Sequence, residues 1–290
     1  MGENNIGYIR PIAEARISTG GKEGHPGNQG YHFMQEPGKY VTLGLNKIQP
    51  GGGIEEHYHE YNPEMPIYDH VYYVISGRIR ANIREVVRTV SADSLIYCPS
   101  SVRHSITNGG KGIAKILVIS GFGAGDKMGF PVYSKTPTGD LTAHPWKLAD
   151  TMKPSDMGET RTGYIMTAAE AKCSGTESHL GNRSYAYLRP AAAAVKAGKE
   201  PSNHVSLDLN KIQPGGRIEV NYKRYDDANA EMLIFDCIYY VISGRIQAKI
   251  GNSERIIGAE SLIYCPSNLK HSIVNVGKGL AKVVKLIGSG

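Results

Sequence analysis

The chain has 290 residues, 33 basic against 27 acidic, for a net charge of +6, with 40% hydrophobic and 21% charged residues. That is enough apolar material for about two packed domains, and it excludes disorder as the default. No apolar run is long enough to cross a bilayer, four cysteines are too few for a disulfide scaffold, and the dispersed basic residues form no nucleic-acid-binding run.

The start, MGENNIGYIR, carries neither a basic n-region nor an apolar core, and Ile6 departs from a myristoylation site. The expectation is therefore a cytoplasmic protein that meets neither membrane nor nucleic acid. Its 35 glycines, and 18 tyrosines against 4 phenylalanines, point to a β-rich fold with many turns and an amphipathic interior.

Along the chain the first strands read from VTLGLNKI (41–48), the PGG turn at Pro50, and YYVISGRIR (72–80). LIYCPSSVRHSI (95–106) follows. Then the pattern repeats. LNKIQPGG returns at 209, YYVISGRI at 239 and LIYCPS at 262, offset by 164 residues at the first block and 167 at the next two. GYIRPIAEA (7–15) and GYIMTAAEA (163–171) open the two copies. The chain reads as one all-β domain in duplicate: residues 1–122, a linker over 123–160, and residues 161–290. Two barrels or sandwiches are expected, with helices confined to AAEAK after Thr167 and PAAAAVKAGK after Arg189.

Four of the ten histidines fall between positions 57 and 104. His57 and His59 stand two apart, on one face of a strand. His70 precedes VYYVI, and His104 follows a Pro turn. Imidazoles from neighbouring strands of a barrel make a site for Zn, Cu, Ni, Fe or Mn. His25, His32, His144, His179 and His204 lack this spacing and are given no role.

Gly51, His57, His59 and Gly77 resemble the first motif of the cupin superfamily. Asp93, Pro99, His104 and Asn108 resemble its second. The other copy matches through Gly215, Asn221, Lys223 and Gly244, then Glu260, Pro266, His271 and Asn275. The resemblance implies a bicupin, two double-stranded β-helix barrels on one chain. It also implies one divalent transition metal in the N-terminal barrel, held by His57, His59, His70 and His104. His70 stands where the family has a glutamate, and Asp93 and Ser101 where it has glycines. Glu64, in the long insert EYNPEMPIYD, is an alternative ligand or a general acid/base.

In the second copy His57, His59 and His70 align with Asn221, Lys223 and Cys237, so that barrel is expected to be metal-free. A reactive Cys237 thiol beside Lys223 and His271 is the rival reading. Cys98 and Cys265 read as buried and unpaired. Alternation puts Tyr72 beside His70, with catalytic or cavity-packing roles open to it. Tyr61, Tyr68 and Asp69 are expected with Glu64 in a loop at the barrel mouth, and Arg80 is a weak candidate for holding an anion.

The functional expectation is a metal-dependent cupin acting on a small anionic substrate, foremost by O2-dependent C–C cleavage. Non-redox isomerase, lyase or decarboxylase chemistry is the alternative, and a non-enzymatic binding protein a third. A homodimer is a candidate assembly.

Overall fold

The computed structural model describes residues 7–18, 24–34, 41–59, 68–99, 102–122, 131–133, 163–175, 180–188, 205–220, 235–266 and 269–289. In chain order the strands of the first half are β1 (Tyr8–Pro11), β2 (Arg16–Ser18), β3 (Asn28–His32), β4 (Val41–Ile48), β5 (Gly53–His59), β6 (Tyr68–Ser76), β7 (Ile79–Ile83), β8 (Val86–Val90), β9 (Ser94–Pro99), β10 (His104–Asn108), β11 (Ala114–Phe122) and β12 (Pro131–Tyr133). Those of the second are β13 (Tyr164–Met166), β14 (Lys172–Gly175), β15 (Asn182–Leu188), β16 (Val205–Ile212), β17 (Arg217–Val220), β18 (Phe235–Ser243), β19 (Ile246–Ile250), β20 (Ser253–Ile257), β21 (Ser261–Pro266), β22 (His271–Asn275) and β23 (Ala281–Ser289).

Each barrel pairs a large sheet with a small one. The first combines β13-β9-β6-β11-β4-β3-β2 with β12-β5-β10-β7-β8, and the second β1-β21-β18-β23-β16-β15-β14 with β17-β22-β19-β20. The all-β expectation holds: one short 3-10 turn, Ile12–Glu14, is the helical content of the described residues.

The large sheets are buried on both faces, which explains why a strand such as β6 reads VYYVI with no polar alternation. Tyr72 and Val74 face the interior of their own barrel. Val71 and Tyr73 face outward into a cluster shared with Leu207, Ile238 and Leu286 of the other half. The two barrels therefore meet sheet against sheet through one apolar core. Gly77 and Gly244 turn β6 and β18 into the next strands with φ of 93° and 101°, and a Cβ there would lie 2.6 Å and 2.5 Å from the Cβ of Ala114 and Ala281. Glycine is required at both places.

The arms are exchanged. β1 pairs with β21 of the C-terminal barrel, and β13 pairs with β9 of the N-terminal one. Arg88 donates to the Ile165 carbonyl and pairs with Glu170, while Arg255 donates to the Ile9 carbonyl and pairs with Glu14. The interface is also tied by Lys115 to Glu260 at 2.5 Å and by its counterpart Lys282 to Asp93 at 2.6 Å. Asp93 and Glu260 have φ of 61° and 58°, the left-handed region that suits glycine. Each of these left-handed positions thus carries a carboxylate that is ion-paired across the interface.

Two expectations change, and a third is not tested. Glu170 accepts from both the Thr167 N–H and hydroxyl, a helix-starting arrangement. The chain nevertheless makes one turn there and enters β14, because Lys172–Gly175 completes a ladder with β15. PAAAAVKAGK lies outside the described residues. Pro131–Tyr133, inside the stretch read as linker, forms β12 and pairs with His57–His59.

Candidate metal centre

His57 and His59 come from β5, His70 from β6 and His104 from β10. All four are buried, at 1–5% exposure. A bulge positions the first pair. His104 lies opposite His57, yet Ile106 lies opposite Ile54, so Glu55 and Glu56 together face Ser105. The extra residue re-phases β5, letting Ile54 and His57 both point inward despite their odd spacing. In the second barrel the ladder runs without this step, and the residue opposite His271 is Val220. The backbone counterpart of His57 is therefore Val220, where sequence alignment puts Asn221; Asn221 and Lys223 lie outside the described residues.

The ring orientations are fixed from behind. His57 Nδ1 donates to the Glu55 carbonyl at 2.8 Å, and His104 Nδ1 donates to the Val102 carbonyl at 2.7 Å. A carbonyl can only accept, so each Nε2 carries the lone pair. His59 Nε2 lies 2.7 Å from His70 Nδ1, which is 3.1 Å from His104 Nε2. One nitrogen from each residue falls within 4.8 Å of all the others.

Burial, reinforced by the neighbouring imidazoles, lowers the pKa of His57 and His70 well below the usual value and that of His104 to about 3. These three rings are held neutral, as ligands must be. Converging lone pairs repel one another unless a cation lies among them, and separations near 3 Å suit adjacent ligands at a metal–nitrogen distance of ~2.1 Å. The donor set fits one divalent transition metal.

Tyr72 is fully buried, its ring centroid 4.5 Å from that of His70 and 5.9 Å from that of His104. Glu64 and Tyr61 lie outside the described residues. Asp69 belongs to β6, not to a mouth loop: it is buried on the outward face and accepts from the Tyr97 hydroxyl at 2.8 Å. Arg80 is exposed on the outer face of β7 and cannot hold an anion in the barrel. His25, given no role above, stands near enough that its charge contributes to lowering the pKa of His57 and His70. Its neighbour Gly24 accepts the Glu55 N–H. A histidine brought in by backbone pairing outside the motifs leaves no signal in their spacing.

In the C-terminal barrel, His271 Nδ1 donates to the Leu269 carbonyl, and Tyr239 donates to His271 Nε2 at 2.9 Å. Cys237 is buried, and that burial raises its thiol pKa, although Lys285 and Tyr239 pull the other way. Burial therefore works against an activated thiol, and Lys223 of that reading lies outside the described residues. Cys98 and Cys265 are buried and free, as expected.

Residues 44–120 match the cupin domain family model. The match lies within the N-terminal barrel and spans the three strands that carry its four-histidine cluster, a group that could hold a metal ion. A search of curated protein sequences gave no match.

Among solved structures, the chain is similar to protein Ylba from E. coli (family-model DUF861), with TM-score 0.66 and 12% identity, covering 100% of this chain and 93% of that one. It is similar to the putative glyoxylate induced protein from Pseudomonas aeruginosa, with TM-score 0.64 and 10% identity, covering 100% and 92%. It also resembles oxalate decarboxylase from Bacillus subtilis, with TM-score 0.62 and 15% identity, covering 99% and 77%; another structure of that enzyme is described by its Mn(II) centres. At these identities the likeness is one of fold. No helix among the described residues is long and apolar enough to cross a membrane.

Proposed function

We propose that the N-terminal barrel is the active centre of a metal-dependent enzyme acting on a small, anionic organic substrate, by O2-dependent C–C cleavage. The observation that carries this reading is the donor set: four buried imidazoles and, among the described residues, no carboxylate in the cluster. A divalent ion so held keeps its full double charge, attracts an anion and polarises it, and a redox-active ion adds oxygen chemistry.

The protein's own residues orient and enclose. The Glu55 and Val102 carbonyls lock the His57 and His104 ring planes. Tyr72 packs on His70, and with Ile54, Ile96 and Ile106 it belongs to the buried apolar cluster inside the barrel. Water is excluded there, and electrostatic contacts gain strength.

Oxygen uptake by the purified, metal-assayed protein with phenolic and enolisable carboxylates tests the reading. Uptake should require Fe, Mn or Cu and vanish in His57→Ala and with Zn in the site. Turnover that persists anaerobically with Zn would overturn it in favour of decarboxylase, lyase or isomerase chemistry. The likeness to oxalate decarboxylase favours that second reading, with Glu64 moving the proton. No turnover, with ligand affinity unchanged in metal-free His57→Ala, would mark a binding protein instead.

A further inference from the structure

The floors of the two barrels are near-copies. Tyr72, Val74 and Cys98 recur as Tyr239, Val241 and Cys265. The differences gather at the end where the N-terminal barrel carries its histidines. There His70 gives way to Cys237, but two further exchanges add charge: Gly44 becomes Asp208 and Val118 becomes Lys285.

Lys285 lies on β23, paired with Asp208 of β16 on one side and Tyr239 of β18 on the other. Val283 and Ile287, two residues before and after it, pack inside the barrel, whereas Val284 and Leu286 pack between the barrels. By alternation Lys285 and Asp208 share the interior face with Tyr239. The Lys285 charge reaches His271, whose pKa is lowered by burial and then by this ammonium, and it opposes the effect of burial on Cys237 and Cys265. Among the described residues, no hydrogen bond or ion pair takes up the Lys285 ammonium.

We propose that the C-terminal barrel is a metal-free binding site for a small organic carboxylate that also carries a hydroxyl or ammonium group, with Lys285 as the fixed cation. Lys285 binds the carboxylate, as a metal ion would, but without the ligand vacancy a metal needs. Asp208, directly across the ladder, accepts from the ligand's own donor. Tyr239, tied to His271, sets the inner limit of the site. A fixed ammonium at this position also repels any divalent ion, consistent with the loss of the ligand set.

Titration calorimetry with glycolate and acetate tests this, using His57→Ala/His104→Ala protein so that the N-terminal centre cannot contribute. Chelator-stripped wild-type protein serves as a second background should that variant fold poorly. Glycolate should bind one per chain and more tightly than acetate. Lys285→Met should weaken glycolate by at least about tenfold, the effect of losing a charge-assisted hydrogen bond, while Lys285→Arg keeps most of the affinity. Asp208→Asn should erase the preference for glycolate over acetate. In otherwise wild-type protein, Lys285→Met should leave the metal content at one ion per chain. Absence of binding in both backgrounds, affinity unchanged by Lys285→Met, or a second ion per chain would overturn the proposal.

Discussion

The Tyr187 hydroxyl crosses the interface between the barrels and donates to the backbone carbonyl of Asp93, 2.6 Å away. Its ring meets Tyr73 edge-on, with centroids 5.6 Å apart. The segments NQGYHF (28–33) and NRSYAY (182–187) correspond, so Phe33 holds the matching place in the other half. It meets Tyr240 edge-on, also at 5.6 Å, but has no hydroxyl to give. The buried Tyr240 hydroxyl has no hydrogen-bond partner among the described residues. Phe33→Tyr should therefore stabilise the protein by about 1 kcal/mol, and Tyr187→Phe destabilise it by about 1–2 kcal/mol. Urea midpoints at constant slope measure both. A lowered midpoint for Phe33→Tyr would mean that the added hydroxyl finds no acceptor.

Alanine at His57 or His104 removes one of four ligands and a ring fixed by a backbone carbonyl. Metal content should fall from about one ion per chain towards zero, and metal should no longer raise the melting temperature, since ligand-linked stabilisation is lost with binding. Elemental analysis and melting curves with and without added metal check this. Full metal retention in both variants would rule out the four-histidine centre.

The metal-free protein should be acid-labile in a defined window. The folded-state pKa values of His57, His70 and His104 lie below that of an unfolded histidine, ~6.5. The unfolded chain thus binds protons that the folded chain refuses, and stability falls as protons are added. It should be full above pH ~6.5 and fall steadily towards pH 3, where His104, lowered to about 3, begins to protonate in the folded state. Denaturant midpoints from pH 7 to pH 4 should show the decline in chelated wild type and a shallower one in His70→Ala.

Arg88 holds the exchanged arm β13 through the Ile165 carbonyl and Glu170. The ion pair is half exposed, at 39% and 47%, and exposed pairs contribute at most about 1 kcal/mol. Arg88→Ala should therefore change global stability little but speed amide hydrogen exchange at Tyr164–Met166, leaving metal content intact. Unchanged exchange at those amides would mean that β9 alone secures the arm.

The duplicated strands and the four ligands were legible because both are written in short, fixed spacings. YYVISG and LIYCPS recur, and His57, His59, His70 and His104 meet as their motif spacing implies. What stayed hidden depended on register and on partners distant in sequence. The bulge at Glu55–Glu56 shifts His57 by one step against Asn221 without any mark in the residues themselves. AAEAK carries a sound helix start at Thr167, and a ladder with β15 overrides it. Lys285 escaped notice because it lies outside the motif blocks, although Val118 and Gly44 against Lys285 and Asp208 were there to compare.

The exchanged arms change what a cut in the chain can accomplish. Each half of the sequence owns a strand that completes the other half's sheet, so the chain is interlocked in the manner of two clasped hands. A single proteolytic break between residues 134 and 162 would sever the covalent connection but leave the two pieces holding each other. Expressed alone, either half would lack an edge strand and expose the apolar face that the other half covers, inviting pairing with a second copy. Such interlocking lets one barrel change its chemistry while borrowing the stability of the other.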